Sequence, residues 1–494
     1  MARHWMFIFL FIVLLSEVST DIGLKVSYYT QKLDHFQHQE SRTFQQRFVV
    51  NDTLWAGAKS GAPIIVLFGG IADDMYDPSI YGVLTFSAVK FEAMLVSIEH
   101  RFYGESIPMN SIDLAMADHR TRDCLSVKQA LQDFAEIVHS LKANWSAHNS
   151  PVIVVGMGYA GALATWFRLM YPEIAIGALA SSTPLSYYGS TTPRDGYCSI
   201  VSRDFQDMDK TCYKAIYDSW KDIDDVALER HGLAKLDQFF NTCRPLKSSE
   251  EVKQKLAQLY SMTAQYVDPY NTSMSSVCIE LTARRTSIEG SVSVLYRELE
   301  GGKGKCFQSD LIQVYSPFEP SSNSTAAWAW LRCNELIFPV GCEHNTMLPS
   351  CPFNITRMEN SCLERFGIVP HPRTPIDLFG SQNLKESLTK LGGNIIFSNG
   401  LRDPFSSGGI LKNLSNTITA ITTSQGSYCW DMRLIGDNDP EWLKIGRDKE
   451  LEIFSQWINH FHHINKGHSL SVCSIFIYFF LLEYIAFYIC TYLS

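Results

Sequence analysis

The residues best placed to do chemistry lie where an apolar run breaks into small residues. Val152-Ile153-Val154-Val155 is followed by Gly156-Met157-Gly158-Tyr159-Ala160-Gly161, and then by Ala162 to Trp166. A buried strand, a tight turn and a helix form the context of the G-x-S-x-G nucleophile elbow, in which a sharp turn lifts a serine above the sheet edge to attack a carbonyl. Small residues flank such a turn because strand and helix backbones approach closely. Here the third position of the motif is Gly158, which has no oxygen to offer. The shape of an acyl-transfer site is present without its nucleophile. The run is not a phosphate loop, because the Lys-Ser/Thr that should follow is absent.

The elements around this turn alternate. Apolar runs at 62–68, 93–98, 151–155 and 174–180 read as buried strands, and apolar spacing over 126–141 and 160–170 reads as helix. Interleaved strands and helices imply a parallel sheet covered on both faces. After Pro184 the pattern changes: from 186 to 370 the segments are helical or irregular and rich in Cys, Ser and Asn, as expected of an inserted cap. Strand character resumes at 394–398 and 418–423, and an amphipathic helix at 442–461 closes the domain. The expected organisation is a signal peptide over 1–20, a sheet domain split into 21–185 and 371–465, a cap over 186–370, and an apolar tail over 466–494.

A chain of 494 residues is too long for one ordinary core, which agrees with a large domain carrying an insertion. Its formal charge of -9 leaves no excess of Lys and Arg to neutralise phosphates, so nucleic acid is not an expected partner. The start fits export: a short polar, basic beginning precedes an uninterrupted apolar run from Trp5 to Leu15. The 13 cysteines fit an oxidising compartment, with nine between Cys198 and Cys362 and no CxxC pair or close Cys/His set to suggest a metal. Asn-X-Ser/Thr sequons at Asn51, Asn144, Asn271, Asn323, Asn354 and Asn413 point the same way. The apolar stretch 472–493 leaves three readings open: a membrane anchor, a removed lipid-anchor signal, or an aberrant terminus. Glu483 at its middle would be costly in lipid.

Several motifs in order resemble one family, the secreted and lysosomal serine exopeptidases that include Pro-Xaa carboxypeptidase, dipeptidyl-peptidase II and thymus-specific serine protease. They are Gln31 to Phe36, Phe44 to Phe48, Glu99 to Ser106, the elbow with Trp166, Ser181 to Pro184, Ser398-Asn399-Gly400 with Asp403-Pro404, and Gly426 to Arg433. Tyr159-Ala160-Gly161 looks closest to the thymus-specific branch. The resemblance implies an α/β-hydrolase fold with a large, disulfide-linked, mainly helical cap, and cleavage of short peptides, often after proline. It places the family's serine on Gly158 and its acid on Asp403. The base of the family's Gly-X-His-X-X-Asp pattern falls on Tyr428, within Gly426-Ser427-Tyr428-Cys429-Trp430-Asp431. The oxyanion and substrate region falls on Tyr159 and on Gly70, where Gly69-Gly70-Ile71-Ala72 replaces the family's acidic loop. The resemblance also implies disulfides Cys198–Cys342, Cys212–Cys278, Cys243–Cys306 and Cys333–Cys362, with Cys351 left over.

Loss of a triad serine alone costs about six orders of magnitude in turnover, nearly as much as losing all three members. Once the serine is gone, losing the histidine costs little more. A tyrosine is a poor substitute base, its unperturbed pKa being about 10. Ser406 and Ser407 read as loop residues, His460, His462 and His463 as helix-end residues, and His100 as a hydrogen-bonded structural group. A hydrogen bond from Tyr428 to Asp403 is expected, because a buried carboxyl without an imidazole still needs a partner. Three functions follow as expectations: a non-catalytic binder of peptides, proline-containing ones included; an active peptidase with relocated groups; or a cell-surface interaction protein held by 472–493. No cofactor or metal is expected, and the expected place is the secretory pathway, extracellular or lysosomal.

Overall fold

The structure is a computed structural model and describes residues 24–465, except 72–76, 190–191, 299–305, 307–324, 344, 372–373, 381–382, 391–392, 434–435 and 437. The expected signal peptide, the sequon at Asn323 and the apolar tail lie outside the described residues. Among the described residues no helix is long and apolar enough to cross a membrane.

Eight strands form one sheet in the order β1-β2-β4-β3-β5-β6-β7-β8. They are β1 (Leu24–Lys32), β2 (Thr43–Asn51), β3 (Ile64–Phe68), β4 (Met94–Ile98), β5 (Val152–Met157), β6 (Gly177–Ser181), β7 (Ile395–Gly400) and β8 (Ile418–Thr423). From β4 to β8 neighbours run parallel, whereas β1 pairs antiparallel with β2 and β2 antiparallel with β4. The sheet is therefore mixed, where alternation alone implied a purely parallel one. The reason is exposure: β1 is an edge strand whose Val26 and Tyr28 face solvent, so its apolar residues form no continuous buried run.

The central strands are buried on both faces, and period-two alternation sends their side chains to two cores. Ile64, Val66 and Phe68 of β3 and Val152 and Val154 of β5 join Leu131 and Phe134 of the helix Val127–Asn144 and Phe167 of the helix Tyr159–Met170. Ile65, Leu67, Ile153 and Val155 face the opposite core, with Leu451 and Phe454 of the helix at 441–465.

Between β6 and β7 the described chain contains no strand and many helices, with its own core around Phe205, Trp220, Tyr260 and Leu281. Four disulfides staple this part, Cys198–Cys342, Cys212–Cys278, Cys243–Cys306 and Cys333–Cys362, with Cα separations of 5.4, 5.1, 4.8 and 5.6 Å. These are the pairs that the family resemblance implied. Among the described residues Cys124, Cys351 and Cys429 are unpaired. The fold is that of an α/β-hydrolase with a helical, disulfide-linked insertion.

Candidate active site

The elbow is built as the sequence anticipates. β5 ends at Met157, Gly158 turns at φ 54° and ψ −116°, and the helix begins at Tyr159. That backbone is sparsely populated by residues with a Cβ, and glycine adopts it without steric cost. The turn is fixed on both sides, since Gly158 N donates to Ser181 O at 2.9 Å and Ala162 N donates to Gly158 O at 3.2 Å. The flanking glycines are sterically required: a Cβ on Gly156 would stand 2.1 Å from Ala160 O, and one on Gly161 would stand 1.9 Å from Thr183 Oγ1.

What faces the elbow is not an imidazole. A Cβ built on Gly158 would lie 2.2 Å from Tyr428 Oη. The phenol oxygen occupies the space that the root of a nucleophilic side chain would need. Tyr428 is held there by its N–H, which donates to Gln265 O at 3.1 Å, and by ring contacts with Tyr266 and Phe405 at centroid distances of 5.4 and 5.8 Å. Burial pushes its hydroxyl well above the usual phenol pKa, and the nearby Cys429, Tyr266 and Asp403 push the same way. It is a hydroxyl that holds its proton.

Asp403 is fully buried at the N-terminal cap of the turn Pro404–Gly408, where Oδ1 accepts from Phe405 N at 2.9 Å. Among the described residues Oδ2 meets no hydrogen-bond partner, so the expected bond from Tyr428 does not form. The tyrosine ring, packed against Tyr266 and Phe405, carries its oxygen over Gly158. Burial raises the Asp403 carboxyl to about 8, against the opposing pull of the Phe405 N–H. At neutral pH it is mostly a neutral acid and poorly suited to orient a base.

Tyr159 directs its hydroxyl to His100. It lies 3.2 Å from His100 Nε2, while His100 Nδ1 lies 2.7 Å from Arg101 O. The carbonyl can only accept, so Nδ1 carries the imidazole proton and Nε2 accepts from Tyr159. Burial lowers the His100 pKa to about 4, which keeps it neutral. The ring of Tyr159 packs against Trp328 of the insertion at 5.5 Å. Gly70 lies beside the start of the elbow helix, where its Cβ would stand 3.5 Å from Ala160 Cβ. Ala72 lies outside the described residues.

The remaining candidates are engaged elsewhere. Ser407 Oγ donates to Pro404 O at 2.7 Å and lies 2.7 Å from Tyr187 Oη. His460, His462 and His463 belong to the helix at 441–465, and His462 lies against Gly61. Cys429, next to Tyr428, is buried, and burial pushes its thiol far above the range of a reactive thiolate. No group of three or more metal-ligating side chains gathers among the described residues.

Behind the elbow lies a polar cluster that the sequence did not single out. Ser181 donates to Asp431 Oδ1, Cys429 N donates to Ser182 Oγ at 2.7 Å, and Arg447 Nε donates to Asp431 O at 3.0 Å. Glu450 is fully buried near Asp431, and burial followed by the Asp431 charge pushes its carboxyl well up. Asp431 itself is raised to about 6, chiefly by burial. The signal for part of this cluster was present, since Asp431 closes the Gly-X-His-X-X-Asp pattern. Glu450 carried none, being one acidic residue within an amphipathic helix.

The sequence profile of the serine carboxypeptidase S28 family matches residues 31–450. This chain belongs to that family. The lysosomal Pro-X carboxypeptidase of Homo sapiens is 30% identical over 456 residues, covering 88% of this chain and 89% of that protein. The thymus-specific serine protease of Mus musculus is 27% identical over 473 residues, covering 88% and 87%. Among solved structures, the proline iminopeptidase of Mycobacterium smegmatis aligns over 88% of this chain and 98% of that one, at 10% identity and a TM-score of 0.33. The chain is thus a serine-peptidase homologue of the S28 family, with Gly158 at the strand–helix turn and the Tyr428 hydroxyl facing it.

Proposed function

We propose that this protein is a non-catalytic member of the S28 family, a pseudopeptidase of the secretory pathway whose cleft binds short peptides, proline-containing ones included. The carrying observation is the 2.2 Å separation between Tyr428 Oη and the place of a Gly158 Cβ. The elbow lacks a nucleophile, and its space is taken by a hydroxyl too weakly acidic to replace it. Peptide binding rests on membership of a peptidase family, and its proline preference on the Pro-X carboxypeptidase relatives. A lysosomal or extracellular location rests on those relatives and on four disulfides, which persist in oxidising compartments.

The test is to purify the glycosylated protein and challenge it with proline-containing di- and tripeptide substrates and with a fluorophosphonate probe. The expected result is hydrolysis at background and no covalent label. Labelling at any residue overturns the reading. Calorimetric titration with the same peptides then tests binding, and no heat at millimolar peptide would remove the binding half of the proposal.

A further inference from the structure

The segment between the helices Thr325–Asn334 and Ile355–Phe366 lies across the helix Gly196–Met208, and its cysteines are arranged unlike the other stapled pairs. Gly341 N donates to Arg194 O at 2.8 Å, Met347 N donates to Ser202 Oγ at 2.8 Å, and Cys342 is bonded to Cys198. Within the segment Cys342 and Cys351 face one another as an isolated antiparallel bridge, and they exchange both backbone hydrogen bonds, at 3.0 and 2.8 Å. Residues opposed in this way carry their side chains on the same side, with Cα atoms about 5.5 Å apart. That spacing lies within the range a disulfide spans. Cys342 therefore has two cysteines at bonding distance, Cys198 with a Cα separation of 5.4 Å and Cys351 across the bridge. Cys351 is partly exposed and unpaired, and it lines a cavity of 800 Å³ together with Arg357, Glu250 and Phe338.

We propose that Cys198, Cys342 and Cys351 form an intramolecular thiol–disulfide exchange site in which Cys342 bonds to either neighbour. The Cys351 thiol loses its proton and its sulfur attacks Cys342 Sγ. The Cys342–Cys351 bond forms, the Cys198–Cys342 bond breaks, and Cys198 leaves as a thiolate that takes up a proton. Cys351 sulfur passes from the thiol to the disulfide level as Cys198 sulfur passes from the disulfide to the thiol level, so no external oxidant or reductant is needed. Burial raises the Cys351 thiol above its usual pKa, with the Arg357 charge opposing, so the thiolate that attacks is scarce at neutral pH.

The exchange replaces a cross-link between residues 144 apart with one between residues nine apart. It removes the covalent tie between the helix Gly196–Met208 and the segment above it, leaving the hydrogen bonds at Arg194 and Ser202 to hold them together. That helix packs directly on the turn that follows Asp403: Tyr197 contacts the Phe405 ring at 5.3 Å, and Gly196 abuts Ser407. The long-range pair constrains the unfolded chain more, so the exchanged form is the less stable of the two against unfolding.

The test is disulfide mapping of the full-length, glycosylated protein. The protein is held at pH 7.0 to 8.5 without denaturant, quenched in acid, unfolded with N-ethylmaleimide and digested. A peptide pair joined through Cys342 and Cys351, with Cys198 alkylated, is expected to form with an initial rate that rises about tenfold per pH unit, as the thiolate fraction does. It is expected to be absent from Cys351→Ser, which retains the Cys198–Cys342 bond. Amide hydrogen exchange over 196–208 is expected to quicken with the same pH dependence in the wild type and not in that variant. Finding only Cys198–Cys342 in the wild type at every pH, with Cys351 quantitatively alkylated, overturns the proposal.

Discussion

The elbow and the loop that faces it have kept different things. At the elbow the backbone retains the turn of a nucleophile-bearing strand, with φ 54° at Gly158 and two glycines pressed against Ala160 O and Thr183. Near it, Asp403 caps the turn after β7, and on the facing loop after β8 Asp431 is bound by Ser181. What that loop presents to the elbow is the Tyr428 hydroxyl, which fills the space above Gly158. Steric requirements at a strand–helix junction act on folding, whether or not a reaction follows. Requirements on a nucleophile and a base act on turnover alone.

The largest expected effect comes from restoring both partners. Gly158→Ser alone meets the Tyr428 hydroxyl and a strained backbone costing roughly 1–3 kcal/mol, so it should stay unlabelled by a fluorophosphonate. Gly158→Ser with Tyr428→His removes that obstruction and should gain labelling by roughly 10³-fold or more over either single variant. Equal labelling of the single and double variants would break the comparison by showing that Tyr428 is no obstacle. Next in size is Gly156→Val, whose Cβ meets the Ala160 carbonyl. It should lower the unfolding free energy by roughly 3 kcal/mol or more in urea titrations. A loss under 1 kcal/mol would mean that the elbow is not sterically fixed.

The dependence of stability on pH sharpens the comparison. Burial raises Asp403 to about 8, Glu335 to about 7, and Asp204 and Asp431 to about 6. A carboxyl with a raised folded-state pKa binds a proton that the unfolded chain has released above pH ~4, so folding is favoured as pH falls through the raised value. The melting temperature should therefore climb from pH 8.5 to 6.5. Below about 6.5 the buried neutral His100, lowered to about 4, begins to oppose the trend. Asp403→Asn should flatten the upper part of this slope by on the order of 1–3 kcal/mol. An unchanged slope would show that Asp403 is already ionised. The smallest effect belongs to Ser407→Ala, which loses contacts to Pro404 O and Tyr187 and should cost about 1 kcal/mol. It should leave labelling at background, and a change in labelling would revive Ser407 as a relocated nucleophile.

Much of this arrangement was legible in the residues. The runs at 62–68, 93–98, 151–155 and 174–180 became β3, β4, β5 and β6 because strands buried on both faces must be continuously apolar. The four disulfides followed from resemblance, where spacing alone left many pairings open. β1 escaped the alternation argument because an edge strand with exposed Val26 and Tyr28 has no buried run to read, and β2 because its apolar run of Phe48, Val49 and Val50 is confined to its end. The Tyr428–Asp403 hydrogen bond was expected from chemical need, and the structure sends the hydroxyl elsewhere because ring packing against Tyr266 and Phe405 fixes its direction.

By itself the sequence determined which atoms exist at the strand–helix turn and on the loop that faces it: no hydroxyl oxygen at 158 and no imidazole at 428. It also determined the strand–turn–helix itself, since small residues and apolar runs are local properties. Only the tertiary structure decided that Tyr428 reaches across to occupy the elbow, that Asp403 lies buried with an unsatisfied oxygen, and that Cys351 stands opposite a bonded Cys342. Those are contacts between residues distant in sequence or set by a turn, and the direction of a side chain there is fixed by what packs around it.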